Sequence, residues 1–289
     1  HGHVSGLLLL PLFNKSKFVF TAHNPNPWMV QSFSHFKQSF RQTSFSSIEL
    51  RIIRKADRVI TVGEHLRNEL VNRFKIQPEK VEVVYNGVDV DIFRPNLPDP
   101  ENVLAKYELP PEYVLFVGRL VEQKGVQYLL EAVKGTNIHI VIVGGGPLLS
   151  YLRNLCKRLQ ITQQVHFIGA VPLCDLRKIY SRAQLFVLPS VAEGFPGGLV
   201  GLEAMASGLP LIASKIVGIE QLVTDGYNGS LFEIGDTHKL RSKLVQIFND
   251  KALIKKMGKH SRKIAEKHFS WSAVAKRTLQ LYQSLIANN

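Results

Sequence analysis

Long apolar runs are missing from this 289-residue chain, and cysteine is almost missing: Cys156 and Cys174 are the only two. The run Leu7-Leu8-Leu9-Leu10 falls far short of the roughly 20 apolar residues that a membrane-spanning helix needs. No basic segment precedes it, as one would in a secretion signal, so it reads as part of a buried helix after Gly6. Two cysteines make neither a disulfide framework nor a metal-ligand spacing. Both read as small hydrophobes, which suits a reducing cytosol. There is no internal repeat and no low-complexity stretch, and 45% apolar with 20% charged residues is the composition of a folded domain rather than a disordered tail.

Acidic residues are scarce. Only 23 Asp and Glu stand against 36 Lys and Arg, a net charge of +13. The imbalance is concentrated at the end of the chain, where from Lys239 onward twelve basic residues face two acids, Asp250 and Glu266. Such a surface attracts phosphates, nucleic acid or anionic lipid, and its bland alternative is a solvated helical face. A motif for reading RNA or DNA is lacking, so no specific nucleic-acid partner is expected.

What the chain does have is an alternation of short β-branched runs with helix-length amphipathic segments. Strands are predicted near 18–20, 58–62, 81–85, 113–117, 138–143, 165–168, 185–188 and 210–213. Most are near-continuously apolar, as parallel strands covered on both faces are. Helices are predicted over 126–133, 148–159 and from Trp271 to about Ile286, the last opening after Ser270 as N-cap. The pattern is that of doubly wound α/β sheets. The Pro-rich stretch that begins at Arg94, together with Pro110-Pro111, breaks the alternation and marks a boundary. The expected division is a domain over 1–95, a linker over 96–111, a second domain over 112–269, and a helix over 270–289 returning toward the first.

Glycines punctuate the strand ends: Gly118, Gly144-Gly145-Gly146, Gly169 and Gly194. In an open parallel sheet the ligand crevice lies beyond these ends. After the strand ending at Val117, Arg119 and Lys124 place a planar guanidinium and a mobile ammonium on either side of a turn, a pair suited to clamping a diphosphate. After the strand 185–188 come Pro189-Ser190, Glu193-Gly194-Phe195 and a helix near Gly198-Leu199, whose free N–H groups and dipole favour phosphate. Glu203 falls about one turn into that helix, where a carboxylate can accept two hydrogen bonds from a ribose diol. The alternative for both glutamates is plain surface exposure. Asp89-Val90-Asp91 has the look of a metal-binding triplet, but it lies in an Asn-Gly-Val-Asp turn, and no metal site is expected there.

These blocks, in this order, resemble glycosyltransferase family 4. The resemblance rests on Glu193-Gly194-Phe195 through Gly198-Leu199-Val200 to Glu203-Ala204-Met205-Ala206-Ser207-Gly208-Leu209-Pro210, and on Val117-Gly118-Arg119-Leu120 with Lys124-Gly125. It is joined by Val84-Tyr85-Asn86-Gly87-Val88-Asp89, by Ala56 to Val62, and by Val165 to Gly169, and it covers roughly residues 1–286. The resemblance implies a GT-B fold, two Rossmann-like doubly wound domains facing a cleft. The first domain is expected to be incomplete, because His1-Gly2-His3 is similar to a mid-domain block. It also implies a retaining transferase that moves a sugar from a nucleotide-diphosphate sugar to a hydroxyl of a carbohydrate, lipid-linked or small-molecule acceptor. No cofactor or metal is implied beyond that co-substrate.

By the same resemblance, Gly118, Arg119 and Lys124 hold the diphosphate. Glu203 holds the ribose, and Gly198, Leu199 and Val200 offer backbone N–H groups. Glu193, with Gly194 and Phe195, contacts the transferred sugar. Val171-Pro172 lie near the base, and His23 faces the donor sugar. One departure is clear: nine residues separate Glu193 from Glu203, two more than the family's usual spacing, the excess being Pro196-Gly197. The competing readings are a non-catalytic nucleotide-sugar-binding fragment and an epimerase or phosphorylase on the same scaffold. By the same resemblance, the aromatic-basic stretch Phe33, Phe36, Lys37, Phe40 and Arg41 is either a peripheral contact with an anionic membrane, at the inner face of a cytoplasmic location, or a Phe-rich helix packed on the first domain.

Overall fold

The computed structural model describes residues 17–23, 47–99, 101–192 and 198–287. The chain divides into two compact units, His1–Asn86 with Val274–Asn289, and Gly87–Ala273.

In the first unit, β1 (Val19–Ala22), β2 (Arg58–Thr61) and β3 (Val81–Val83) form a parallel sheet in the order β1-β2-β3. Helix α1 (Ser47–Lys55) leads into β2, and α2 (Glu64–Asn68), continued by a π turn over Glu69–Arg73, leads into β3. Ile52, Ile53, Val59 and Leu70 are fully buried between these layers. The part of the last helix that belongs to this unit sets Leu281 and Leu285 against Ile60 and Val84. That helix, α10 (Trp271–Ala287), opens as its N-cap foretells, with Ala273 N–H donating to Ser270 Oγ at 3.3 Å.

The second unit is built on a parallel sheet of six strands in the order β6-β5-β4-β7-β8-β9. The strands are β4 (Val114–Val117), β5 (Ile140–Val143), β6 (Val165–Gly169), β7 (Leu185–Leu188), β8 (Leu211–Ser214) and β9 (Gly229–Phe232). Helices α3 (Val103–Lys106), α4 (Val126–Val133), α5 (Leu149–Leu159), α6 (Leu173–Arg182), α7 (Gly198–Ala206), α8 (Thr237–Phe248) and α9 (Lys251–Ile264) connect and cover it. Every residue of β4, β5, β7 and β8 is buried, which is why these runs carry no alternating polar residues. β9 escaped the sequence reading because Gly229-Ser230 lacks the branched apolar signature. Both units are thus α/β with parallel sheets, as the GT-B class requires.

The sheet winds outward from β4 through β5 to β6, then returns to the other side of β4 with β7, β8 and β9. The order therefore reverses between β4 and β7, the place where such sheets bind ligands. There the ladder is short. β4 pairs with β7 only at Val114↔Leu185 and Leu115↔Phe186, whereas it pairs with β5 through all four residues. The C-terminal halves of β4 and β7 part from one another.

The stretch 96–111 lies wholly within the second unit. Leu97 N–H donates to Ser181 Oγ at 2.9 Å, and Asp99 accepts Val103 N–H at 2.8 Å while lying 3.6 Å from the Lys178 ammonium. These anchors strap the proline-rich segment to α6, so its composition does not translate into a free linker. Cys156 is buried as expected of a small hydrophobe, but Cys174 is exposed at the first turn of α6. No helix among the described residues is long and apolar enough to cross a membrane.

One glycine is indispensable to this frame. Gly125 has φ +65°, and a Cβ there would stand 1.9 Å from Pro189 O. Gly125→Ala is expected to destabilise the second unit by about 1–3 kcal/mol, through both the left-handed backbone and the clash. Chemical denaturation read by circular dichroism checks this; an unchanged midpoint would show that the turn relaxes freely.

Candidate functional site

Residue by residue, the turn after β4 is laced to its neighbours. Gly118 N–H donates to Val143 O at 3.0 Å, prolonging the sheet beyond the strand. Leu120 is fully buried in the central core; its N–H donates to Gly145 O at 2.9 Å, and its carbonyl accepts Leu148 N–H at 3.1 Å. A single 3-10 turn, Glu122–Lys124, then ends at Gly125. Gln123 ties this turn to the segment leaving β7: its carbonyl accepts Val191 N–H at 2.9 Å, and its Nε2 donates to Ala192 O at 3.0 Å. Arg119 is exposed and makes no ion pair among the described residues, while Lys124 is half-buried. Both predicted cations therefore stand on one braced turn at the sheet's switch point.

The segment leaving β7 is held from the other side by Ser214, whose hydroxyl donates to Ser190 O and lies 3.3 Å from Leu188 O. Helix α7 begins at Gly198 with φ +59°. Its first turn packs tightly, since a Cβ on Gly201 would lie 3.2 Å from Leu222 Cδ1 and 3.4 Å from Leu188 Cδ1. Leu199 is exposed at 53%, and the N–H groups of a first helical turn have no partner within the helix.

Glu203 is the sixth residue of α7 and is half-buried. Its Oε2 accepts from the Tyr180 hydroxyl at 2.9 Å; the same hydroxyl lies 3.3 Å from Val200 O. Its Oε1 takes no hydrogen bond among the described residues. Burial raises the Glu203 carboxyl above the ordinary glutamate range, and the Tyr180 hydrogen bond pulls it back part of the way.

Tyr180 was invisible in the sequence. It is fully buried on α6, edge-on to Phe93 at 5.6 Å and tilted against Phe186 at 5.6 Å. Its signal was weak: a buried tyrosine must find a partner for its hydroxyl, but nothing in the chain says where. Arg262 was also missed. Its Nη1 donates to Val90 O, Phe93 O and Ala206 O at 2.8, 2.8 and 2.6 Å, capping α7 and fixing the turn that carries Phe93. In that turn, Asp89 Oδ1 accepts the N–H groups of Asp91 and Ile92 at 3.0 and 2.9 Å, so this carboxylate serves the backbone. No group of three or more His, Cys, Asp and Glu among the described residues is placed to hold a metal ion.

The remaining predicted residues are more scattered. Val171-Pro172 follow β6, two strands away from β4 on the same C-terminal sheet edge, and Pro172 O accepts Asp175 and Leu176 N–H at 3.0 and 2.9 Å to start α6. His23 is exposed just beyond β1, in the first unit. Glu193, Gly194 and Phe195 lie outside the described residues, as do Pro196-Gly197, the stretch Phe33 to Arg41 and the run Leu7–Leu10.

Comparison with known proteins identifies the family. The family profile described as Glycosyl transferases group 1 matches residues 102–264, and that described as Glycosyltransferase Family 4 matches residues 1–92. An uncharacterized glycosyltransferase of Methanocaldococcus jannaschii is 32% identical over 78% of this chain and 59% of its own length. The alpha-maltose-1-phosphate synthase of Mycolicibacterium smegmatis is 30% identical over 99% of this chain and 76% of its own. The chain thus spans between about three-fifths and three-quarters of these relatives. Among solved structures, sucrose-phosphate synthase from Thermosynechococcus elongatus superposes with a TM-score of 0.79 at 26% identity, over 99% of this chain and 73% of that one.

Tyr180→Phe removes a hydrogen bond to Glu203 but leaves its burial, so the carboxyl should titrate at still higher pH. A carboxyl-carbon NMR titration checks this, and an unchanged or lower midpoint would refute it. A folded-state pKa raised above the unfolded value makes the ionised carboxylate the costly form. The variant's stability deficit should therefore be small at acid pH and grow as pH rises through the Glu203 titration.

Proposed function

The chain belongs to the family of glycosyl transferases group 1, and on that premise we propose that it transfers a sugar from a nucleoside-diphosphate sugar to a hydroxyl acceptor, with the donor held by the second unit. The observation that carries the reading is the braced turn: Gln123 fastens the segment bearing Arg119 and Lys124 to the segment leaving β7, at the point where β4 and β7 part. A diphosphate placed there meets the guanidinium of Arg119, the ammonium of Lys124, the backbone at Gly118, and the N–H groups of Gly198, Leu199 and Val200. The ribose diol then donates to Glu203, whose Oε1 takes no hydrogen bond among the described residues while Tyr180 holds Oε2. That division of labour between the two oxygens supports the reading better than motif similarity does, because it leaves one acceptor oriented and unspent.

In the reaction the bond between the anomeric carbon and the diphosphate oxygen breaks. Negative charge builds on the leaving group and oxocarbenium character on the ring. Preorganised positive charge from Arg119, Lys124 and the amino end of α7 stabilises that distribution. The acceptor hydroxyl attacks on the face the leaving group vacates, which preserves the anomeric configuration, and the chain itself supplies the cations. Glu193, with Gly194 and Phe195, is assigned to the transferred sugar, Val171-Pro172 to the base and His23 to the donor sugar by resemblance to the family. The acceptor is a carbohydrate or lipid-linked hydroxyl, and we place the reaction in the cytoplasm.

Arg119→Ala or Lys124→Ala should lower the transfer rate in the full-length enzyme by ~10²-fold or more, the scale of losing one preorganised charge at a developing anion. Product formation from the nucleotide sugar, measured beside the unfolding temperature, checks this. A wild-type rate in either correctly folded variant would reject the role of that residue.

A further inference from the structure

Helix α9 carries a row of positive charge that the transferase site does not use. Lys255, Lys256, Lys259 and Lys263 are exposed and make no ion pair among the described residues. At about 100° per residue they fall within an arc of roughly 100°. The opposite face, with Met257, Gly258 and Ser261, is buried. The acids nearby are committed elsewhere. Asp250 Oδ1 accepts Leu253 N–H at 2.8 Å as the N-cap, Glu266 is bonded to Arg262 Nε at 2.6 Å, and Glu112 is paired with Lys251. Lys255 with Lys259, and Lys259 with Lys263, stand four residues apart, a spacing at which like charges destabilise a helix. The fold tolerates this repulsion and sets no acid among the four lysines, whereas Glu69–Arg73 elsewhere in the chain pairs opposite charges at that spacing; Glu266, which follows the helix, is taken by Arg262.

We infer that this face of α9 docks on an anionic lipid bilayer. A straight row on a convex helix presents its ammonium groups to a plane, not to a groove. The row is all lysine, point charges without the planar fork that grips a single phosphate. The arginine of this helix, Arg262, is turned inward onto backbone carbonyls. Beside the row, Tyr227 is 42% exposed and stacks on His260 at 3.9 Å and 7°, an amphipathic ring of the kind that settles at membrane–water interfaces. The row is remote in sequence from Phe33 to Arg41 and does not depend on which donor the enzyme uses.

The test is flotation of the full-length protein with vesicles of phosphatidylcholine alone and of phosphatidylcholine mixed with phosphatidylglycerol. The protein should float with the anionic vesicles only, and should be released at high salt, where the screening length shrinks to about 3 Å at 1 M. The triple variant Lys255→Gln, Lys259→Gln, Lys263→Gln should lose roughly fivefold in partitioning per lysine, about a hundredfold in all. Its unfolding temperature and its transfer rate to a soluble acceptor should be at least those of the wild type, since the change removes repulsion and touches no site residue. Failure to float at low salt, undiminished flotation of the variant, or capture by heparin or duplex DNA without flotation would each overturn the inference.

Discussion

Leu120 is withdrawn completely from solvent between two basic residues that are not, and the C-terminal edge of the second unit's sheet depends on that contrast. Its side chain is embedded in the core shared by β4, β5, α4 and α5, while its backbone bonds both ways to the loop after β5. A chain leaving β4 that must sink one residue into the core has little freedom for the residues on either side. Arg119 is turned outward for that reason, and the turn that follows brings Lys124 back to the same edge. Apolar burial worth about 1.5–3 kcal/mol thus orients two long side chains whose own rotamer entropy would otherwise scatter them.

The carboxylate of Glu203 is fixed by different means. Helix α7 is gripped at its far end by Arg262, and α9 comes so close that a Cβ on Gly258 would lie 2.1 Å from Gly208 O. Tyr180 reaches α7 from α6 and fixes one oxygen. Each contact comes from a segment distant in sequence, so the position of this acid is a property of the packed unit and not of the loop that precedes it. Burial keeps the carboxyl reluctant to ionise, a cost offset in part by the tyrosine hydroxyl.

How much of this could be read from the residues alone follows from the range of each interaction. The buried strands announce themselves, because a parallel strand covered on both faces needs a branched apolar residue at nearly every position. β9 does not, since it trades side chains for closeness: a Cβ on Gly229 would stand 2.1 Å from Leu211 O. The turn that bears Arg119 and Lys124 and the helix that bears Glu203 were legible because each residue sits at a fixed offset from a strand end or helix start. Tyr180 and Arg262 were not. The hydroxyl of one and the guanidinium of the other find their partners across the fold, and Arg262 lies in a basic segment where nothing local separates it from the solvated lysines around it. The stretch 96–111 misled for the same reason, because its prolines are local and the side chains that pin it to α6 are not.

Where the ladder between β4 and β7 stops after its second rung, the edge beyond is built of main chain, and Gly125, Gly144 and Gly146 press so closely on backbone carbonyls that none admits a larger residue. Such an edge can drift little in sequence without the sheet beneath it giving way. Variation among chains of this fold is therefore left to the segments that extend past it.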